Sequence, residues 1–245
     1  MTQAADAHQH EAPGWYGKIA SLGDFAQRRL PHDVIQRIDA WLSCAMAASR
    51  QHLGPQWPDA YLIAPVLRFA WAPGVEGPQW WFGVLMPSCD NVGRYYPLIV
   101  AQPRARPPQD AAALDHLEAW FDHIAQAAAS TLDEQTSLAG FEQALRNAPP
   151  WPPPQPPPVT FKDAPVARVR RQVAGGEEHR FDARAALAQW LHALAAEELQ
   201  ARFGGCSIWW CRVQGDPDAV VTVLQGLPDP SAFATLLTAR SQATG

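Results

Sequence analysis

The sequence is poor in lysine, in charge and in long apolar runs, and each shortage excludes a class of protein. Of 245 residues only Lys18 and Lys162 are lysines, charged residues make up 18%, and the formal net charge is −5. Domains that bind duplex nucleic acid usually carry a basic field, so we expect no nucleic-acid partner. No apolar run is long enough to cross a bilayer, and residues 1–14 contain no apolar signal segment. We therefore expect no membrane insertion and a cytoplasmic location.

Cysteine and histidine are too few and too scattered to indicate a metal site or a disulfide. The four cysteines form no C-x-x-C pair, so free thiols are expected. His116 and His123 stand seven residues apart on a predicted helix. That separation is two turns, roughly 10 Å, which is too far for one ion without ligands from other elements. We predict neither a metal nor any other cofactor.

Apolar residues, in contrast, are plentiful and recur at helical spacing in five segments. They predict helices at 31–53, 110–128, 138–145 and 182–203, and a fifth helix after Asp229. The second of these helices is expected to bury Leu114, Leu117, Phe121, Ile124 and Ala128.

Five further apolar runs are bounded by turn residues and predict strands. They lie at 61–71, 79–86, 95–101, 206–213 and 219–225. The short links between successive runs favour antiparallel pairing, and strands that are apolar on both faces need cover on both sides. The sequence therefore predicts the α/β class, with a mixed, mostly antiparallel sheet and helices on both faces. The tryptophan pairs of this sheet should send one ring to each face; the pairs are Trp80–Trp81 and Trp209–Trp210.

Proline is concentrated in one run, PPWPPPQPPP at 149–158, which predicts extended polyproline II backbone. We interpret it as a surface loop or a linker, and a docking segment for a proline-binding module is the alternative. The residues after the run are predicted to form only two helices and two strands, which are too few to build a second hydrophobic core. We therefore predict one domain over 14–245, preceded by a disordered tail at 1–13.

The stretch GWYGKIASLGDF, residues 14–25, concentrates glycine, lysine and aspartate without completing a phosphate-binding motif. A Walker loop needs G-x-x-x-x-G-K-[ST], because its last hydroxyl binds magnesium. Here Ile19 follows Lys18, so that hydroxyl is absent. Nucleotide binding is therefore disfavoured.

A structural interpretation of the same stretch is stronger. We predict that Gly17 and Gly23 permit a backbone geometry that a side chain would block. Asp24 is expected to accept amide hydrogen bonds in the following turn or to pair with Arg28 or Arg29.

The stretch PSCDNVGRYYPL, residues 87–98, joins two predicted strands. Ser88 lacks the G-x-S-x-G context and a recognisable histidine partner, so a catalytic serine is disfavoured. We predict a tight β-turn in which Asp90 caps the backbone and Arg94 reaches a carboxylate. If that carboxylate is Asp24, the two stretches are clamped together.

The chain resembles the TagF (also called ImpM) family of bacterial type VI secretion accessory proteins. The resemblance rests on GWYGKIASLGDFAQRRLP, LRFAW, WWFGVLMPSCDNVGRYYPL, SIWWCRVQGD and GLPDPSAFATLL. It implies a three-layer αβα sandwich and a cytoplasmic regulator without established catalytic residues. It also implies post-translational repression of secretion through contact with the forkhead-associated scaffold protein of the system.

Three functions are compatible with this sequence. The first is the non-enzymatic regulator, whose docking surface carries arginine and aromatic residues. The second is a small hydrolase or phosphate-ligand enzyme, which would need a pocket where its polar groups converge. The third is a structural subunit of the secretion apparatus. The enzyme would use Lys18, Asp24, Ser88, Asp90 and Arg94. The predicted interaction motif comprises Gly17, Lys18, Gly23, Asp24, Arg28, Arg29, Ser88, Asp90 and Arg94.

Overall fold

The structure, a computed structural model, describes residues 12–108, 111–133, 135–151, 169–173, 176–180, 198–212 and 219–238. Its helices are α1 (His32–Leu53), α2 (Trp57–Ile63), α3 (Ala111–Ser130), α4 (Leu138–Arg146) and α5 (Pro230–Leu237). Its strands are β1 (Gly14–Gly17), β2 (Ala26–Arg28), β3 (Leu67–Trp71), β4 (Trp80–Met86), β5 (Leu98–Arg104), β6 (Val169–Val173), β7 (Gly176–Arg180), β8 (Cys206–Arg212) and β9 (Ala219–Gln225).

Seven strands form one sheet in the order β2-β1-β5-β4-β3-β8-β9. Every pairing between them is antiparallel, as the short links between strands predict. Strands β6 and β7 form a separate hairpin that the sequence analysis did not predict. The α/β class and the antiparallel sheet are thus confirmed. That residues 14–245 form one domain stays a prediction.

The sheet carries an apolar core on each face. Alternate residues of β3 point to opposite sides, so Phe69 and Trp71 join one core and Ala70 joins the other. Buried residues of α1, α2 and α5 complete the first core, and those of α3 and α4 complete the second. Burying one large apolar side chain stabilises the fold by about 1.5–3 kcal/mol, which explains why these helices cover the sheet.

The paired tryptophans behave as predicted. Trp81 and Trp209 belong to the first core. Trp80 is buried in the second core, and Trp210 packs against it. In each pair, therefore, one ring packs in the core on the first face of the sheet and the other ring packs on the opposite face.

The predicted strand at 61–71 is wrong over its first part. Residues Trp57–Ile63 form α2, and the strand begins only at Leu67. Pro58 stands in the first turn of α2, where its missing N–H costs nothing. Pro65 then forces the preceding Ala64 into an extended conformation, which ends the helix.

Two smaller predictions also need correction. Strand β5 begins at Leu98 because Pro97 cannot donate to the ladder, and Tyr95 forms only an isolated bridge with Cys89. Leu114 of α3 is 54% exposed, whereas the other four residues predicted for that stripe are buried. The first turn of α3 instead meets Trp151, whose indole N–H donates to the carbonyl of Ala113.

Some predicted segments lie partly or wholly outside the described residues. These are 1–11 of the tail, 152–158 of the proline run and 182–197 of the fourth predicted helix. Residues 198–203 of that helix are helical. Within the described part of the chain, no helix has both the length and the apolar character needed to cross a membrane.

Candidate interaction site

The two motif stretches emerge as loops at one end of neighbouring strands. Gly17, the last residue of β1, pairs with Leu98, the first residue of β5. The first loop, residues 18–25, therefore lies beside the second loop, residues 87–97. A backbone hydrogen bond of 3.1 Å from Asn91 to the carbonyl of Leu22 joins them directly.

A buried ion pair links the two loops. Lys18 Nζ lies 2.5 Å from Asp90 Oδ2, and both residues are almost inaccessible to solvent. A buried charge pair costs desolvation unless further hydrogen bonds satisfy it. Asp90 meets that need, since its carboxylate also accepts from the Arg94 side chain and from the backbone N–H groups of Val92 and Arg94. The predicted cap by Asp90 is confirmed.

Arg94 joins the loops in a different way from the prediction. Its Nε lies 2.7 Å from Asp90 Oδ2, and its Nη2 donates to the carbonyl of Gly23 at 2.7 Å. The proposed Asp24–Arg94 pair is therefore wrong. Asp24 is exposed, and its carboxylate accepts from the backbone N–H of Phe25, as predicted for a turn. A short aspartate at the loop tip turns back on its own backbone more readily than it spans two loops.

Ser88 completes the junction from the inside. Its hydroxyl donates to the carbonyl of Lys18 at 2.8 Å, and its backbone N–H and carbonyl both contact the hydroxyl of Tyr61. We call Lys18, Ser88, Asp90 and Arg94 the loop clasp. The polar atoms of the clasp bind one another, so its geometry fixes the shape of the two loops.

The two predicted glycine turns have different outcomes. Gly17 has φ +139°, and a Cβ there would lie 2.1 Å from the carbonyl oxygen of Pro97, so the prediction is confirmed. Gly23 does not have a positive φ, and a Cβ would meet only the Asn91 side chain, at 3.5 Å from Oδ1 and 3.7 Å from Nδ2. The prediction of blocked geometry is wrong for Gly23, whose contribution is the carbonyl that binds Arg94.

Outside the clasp lies a surface of apolar and cationic groups. Phe25 is 45% exposed and Val92 is 68% exposed, and the Arg94 side chain is half exposed between solvent and the clasp. Lys18 Nζ lies 4.6 Å from the centre of the Phe25 ring on the buried side. Exposed aromatic and arginine side chains in one place are typical of protein interfaces.

Two buried tyrosines support Phe25 from below. Its ring stacks on Tyr16 and meets Tyr96 edge-on, with centroid distances of 5.8 and 4.7 Å. Both hydroxyls donate to Asp39 Oδ1. Burial, reinforced by the hydrogen bond to Asp39, raises the pKa of Tyr16 and Tyr96 well above the usual range. Both tyrosines therefore stay protonated and hold the exposed ring in place.

The remaining motif residues, Arg28 and Arg29, belong to a second group. Of the two alternatives predicted for Asp24, pairing with one of these arginines does not occur, because both bind the buried Glu142 of α4. Arg29 Nη1 lies 2.6 Å from Glu142 Oε2, and Arg28 Nη1 lies 3.5 Å from the same oxygen. Arg146 Nη2 approaches that oxygen at 3.6 Å, and Trp15 donates to Oε1. We call Arg28, Arg29, Glu142 and Arg146 the arginine cluster.

Arg29 adopts a rare backbone conformation. Its φ of 61° is the only positive value at a non-glycine residue in the described part of the chain. Such a conformation costs roughly 1–2 kcal/mol, so the surroundings must enforce it. The guanidinium is held by two hydrogen bonds to Glu142 and by one to the carbonyl of Pro13. Strain at this residue thus serves to place the cluster.

Acid is expected to weaken the fold through two carboxylates. Burial alone would raise the pKa of Asp90 and of Glu142, but hydrogen bonds from Lys18 and Arg94, and from Arg29, hold each pKa below its ordinary value. A carboxylate with a lowered folded-state pKa contributes stability above its unfolded pKa and loses it as the pH falls. The ordinary values are 3.8 and 4.5, so the loss should begin near pH 4.5 and deepen below it.

Thermal unfolding between about pH 3 and 8 checks this expectation. Above pH 5 the two carboxylates should add no pH dependence to Tm, and below pH 5 we expect Tm to fall steeply. The variant Glu142→Gln removes one of the titrating groups, so its Tm should depend less on pH in the acid range. If Tm falls in acid to the same extent in the wild-type chain and in Glu142→Gln, the proposed contribution of Glu142 to the acid sensitivity is contradicted.

Comparisons with known proteins identify the family of this chain. The family model of the TagF N-terminal domain, type VI secretion system-associated, matches residues 14–148, which include both loops and the arginine cluster. The crystal structure of PA0076 from Pseudomonas aeruginosa PAO1 at 2.05 Å resolution is 37% identical in sequence. Its TM-score is 0.69, and the match covers 93% of this chain and 94% of that chain. No curated protein matches. Since the family match spans more than half of the sequence, the chain belongs to the TagF family of type VI secretion system-associated proteins.

Proposed function

We propose that this protein is a non-enzymatic, cytoplasmic regulator that represses type VI secretion after translation by binding the forkhead-associated scaffold protein of the system. The family membership supplies the secretion context. The observation that carries the proposal is that some side chains of the two loops face the protein interior and others face solvent. Lys18, Ser88 and Asp90 face inward and bind within the clasp, while Phe25, Val92 and part of Arg94 face outward.

The rigidity of the two loops favours a role in protein binding. Association costs conformational entropy when loops must be ordered, so a surface whose loops are already fixed binds more tightly for the same contacts. The clasp fixes both loops by an ion pair, by the Arg94–Gly23 hydrogen bond and by the Ser88 hydroxyl. Docking on these loops therefore needs little rearrangement.

The same contacts favour docking over the hydrolase or phosphate-ligand alternative. A catalytic group must reach the reacting atoms. The Lys18 ammonium is bound to Asp90, and the Ser88 hydroxyl proton is directed at a backbone carbonyl. Asp24 lies apart from these groups at the exposed loop tip. Stoichiometric presence in purified secretion assemblies would instead favour the structural-subunit alternative.

Association with the purified scaffold protein tests the proposal. We expect the full chain to bind at micromolar concentration or tighter, and we expect Val92→Glu to weaken binding at least about tenfold. The reason is that a carboxylate at the centre of an apolar contact must be desolvated on binding. Leu132→Glu is the matched control, since Leu132 is also exposed and apolar but lies beyond α3.

Secretion gives the second readout. Overproduction of the wild-type chain should lower effector secretion, and Val92→Glu should relieve that repression while Leu132→Glu retains it. Absence of association by the wild-type chain at micromolar concentration would refute the proposed function. Equal weakening by both variants would show that the two loops do not form the docking surface.

A further inference from the structure

The arginine cluster holds more positive charge than its own carboxylate neutralises. Three guanidinium groups approach a single oxygen of Glu142, so the cluster carries an excess of two positive charges. The chain as a whole has a net charge of −5. Converging like charges repel one another. A local excess of this kind attracts an anionic partner.

The two outer arginines are placed to receive that partner. The side chains of Arg28 and Arg146 are 48% and 52% exposed, whereas Glu142 is buried beneath them. They approach Glu142 at 3.5 and 3.6 Å, longer than the 2.6 Å of Arg29. Each guanidinium carries five N–H donors, so both retain donors that face solvent. Among the described residues, Glu142 is the one carboxylate within ion-pair distance of either group.

The position of the cluster ties it to the docking loops. Arg28 lies on β2, at the end of the sheet order, and pairs with Trp15 of the second core. Phe25, just before β2, packs on Tyr16 of the first core. The arginine cluster and the loop surface therefore flank β2 from opposite faces of the sheet. A partner that binds around the β2 edge of the sheet would contact both the arginine cluster and the loop surface.

From this geometry we infer that Arg28 and Arg146 bind a carboxylate side chain on an acidic segment of the protein partner. The inference rests on the proposed function, because it names the binding mode of the same scaffold protein. Glu142 already demonstrates that these guanidinium groups converge on a carboxylate. A polyanion such as nucleic acid or an anionic membrane is disfavoured, since the net charge of −5 repels it and the local excess is small.

The test compares two double variants with the wild-type chain in binding to the purified scaffold protein. Arg28→Gln with Arg146→Gln removes the two outer charges but leaves Glu142 bound to Arg29 and Trp15. We expect affinity to fall about tenfold or more, and its salt dependence to weaken. The control, Arg50→Gln with Arg202→Gln, removes the same charge from other exposed positions and should change affinity less than about twofold.

The outcomes separate this inference from the proposed function. If the wild-type chain fails to bind the scaffold, both are overturned. If the wild-type chain binds and the Arg28–Arg146 variant binds equally well, only the carboxylate site is overturned. Equal weakening by the control pair would also overturn it, since net charge would then explain the effect. Binding to phosphatidylglycerol vesicles that is lost in the Arg28–Arg146 variant, with scaffold binding retained, would assign the cluster to a membrane instead.

Discussion

Gly17→Ala is expected to lower the free energy of unfolding by more than about 3 kcal/mol. The added Cβ would lie 2.1 Å from the Pro97 carbonyl oxygen and 2.9 Å from Leu98 Cα, both of them backbone atoms that cannot rotate away. The residue also has φ +139°, which L side chains rarely adopt. Relief would require β1 and β5 to separate at the point where the first loop begins and the second loop ends.

Gly23→Ala is the matched control from the same loop. Its Cβ would meet only Asn91 at ordinary contact distance, so the change should cost less than about 1 kcal/mol. Guanidinium unfolding followed by tryptophan fluorescence measures both variants. Comparable losses for the two, or a loss below about 1 kcal/mol for Gly17→Ala, would contradict the steric argument. Should Gly17→Ala fail to accumulate while Gly23→Ala accumulates normally, the contrast would still support it.

Elements with strong local signals could be predicted from the sequence. The apolar stripe of 31–53 gave α1 to within one residue, and the apolar runs of 79–86 and 219–225 gave β4 and β9. Helix α5 followed from Asp229, whose side chain accepts from the N–H groups of Ser231 and Ala232 as an N-cap does. In each case the signal that specifies the element lies inside the element or directly before it.

Prediction failed where two local signals competed. Residues 61–71 are rich in aromatic and aliphatic side chains, which favours a strand. The prolines at 58 and 65 marked the start and end of a short helix, and the i,i+4 pair Trp57 and Tyr61 stacks at 4.8 Å along it. The two prolines, and not the composition, therefore specify α2.

The partners of the candidate site depended on tertiary structure. The sequence identifies Arg28 and Arg29 as motif residues and offers the nearby Asp24 as a possible partner for one of them. Their true partner, Glu142, is separated from Arg29 by 113 positions and reaches it only because α4 packs on the second core. The one available signal was that Glu142 follows Phe141 directly, so a charged residue stands beside the apolar stripe of a short helix.

Glu142→Gln is expected to destabilise the protein by about 3 kcal/mol, because it removes the anion from a group of three cations. The amide oxygen can still accept from the Trp15 indole, but the amide NH₂ would face guanidinium donors. Arg146→Gln alone should cost less than about 0.5 kcal/mol, since the side chain is half exposed and its contact is 3.6 Å long.

The combination of the two substitutions distinguishes a charge cluster from simple loss of packing. Once Glu142 is neutral, Arg146 repels the guanidinium groups of Arg28 and Arg29 without compensation. Arg146→Gln should then recover about 1 kcal/mol in the Glu142→Gln background, although it is slightly destabilising in the wild-type chain. A double-mutant cycle measured by urea unfolding at low ionic strength, where the charges are not screened, detects this change of sign. Additive losses would mean that Glu142 stabilises the fold through Trp15 and Arg29 alone, and that the outer arginines do not interact with it.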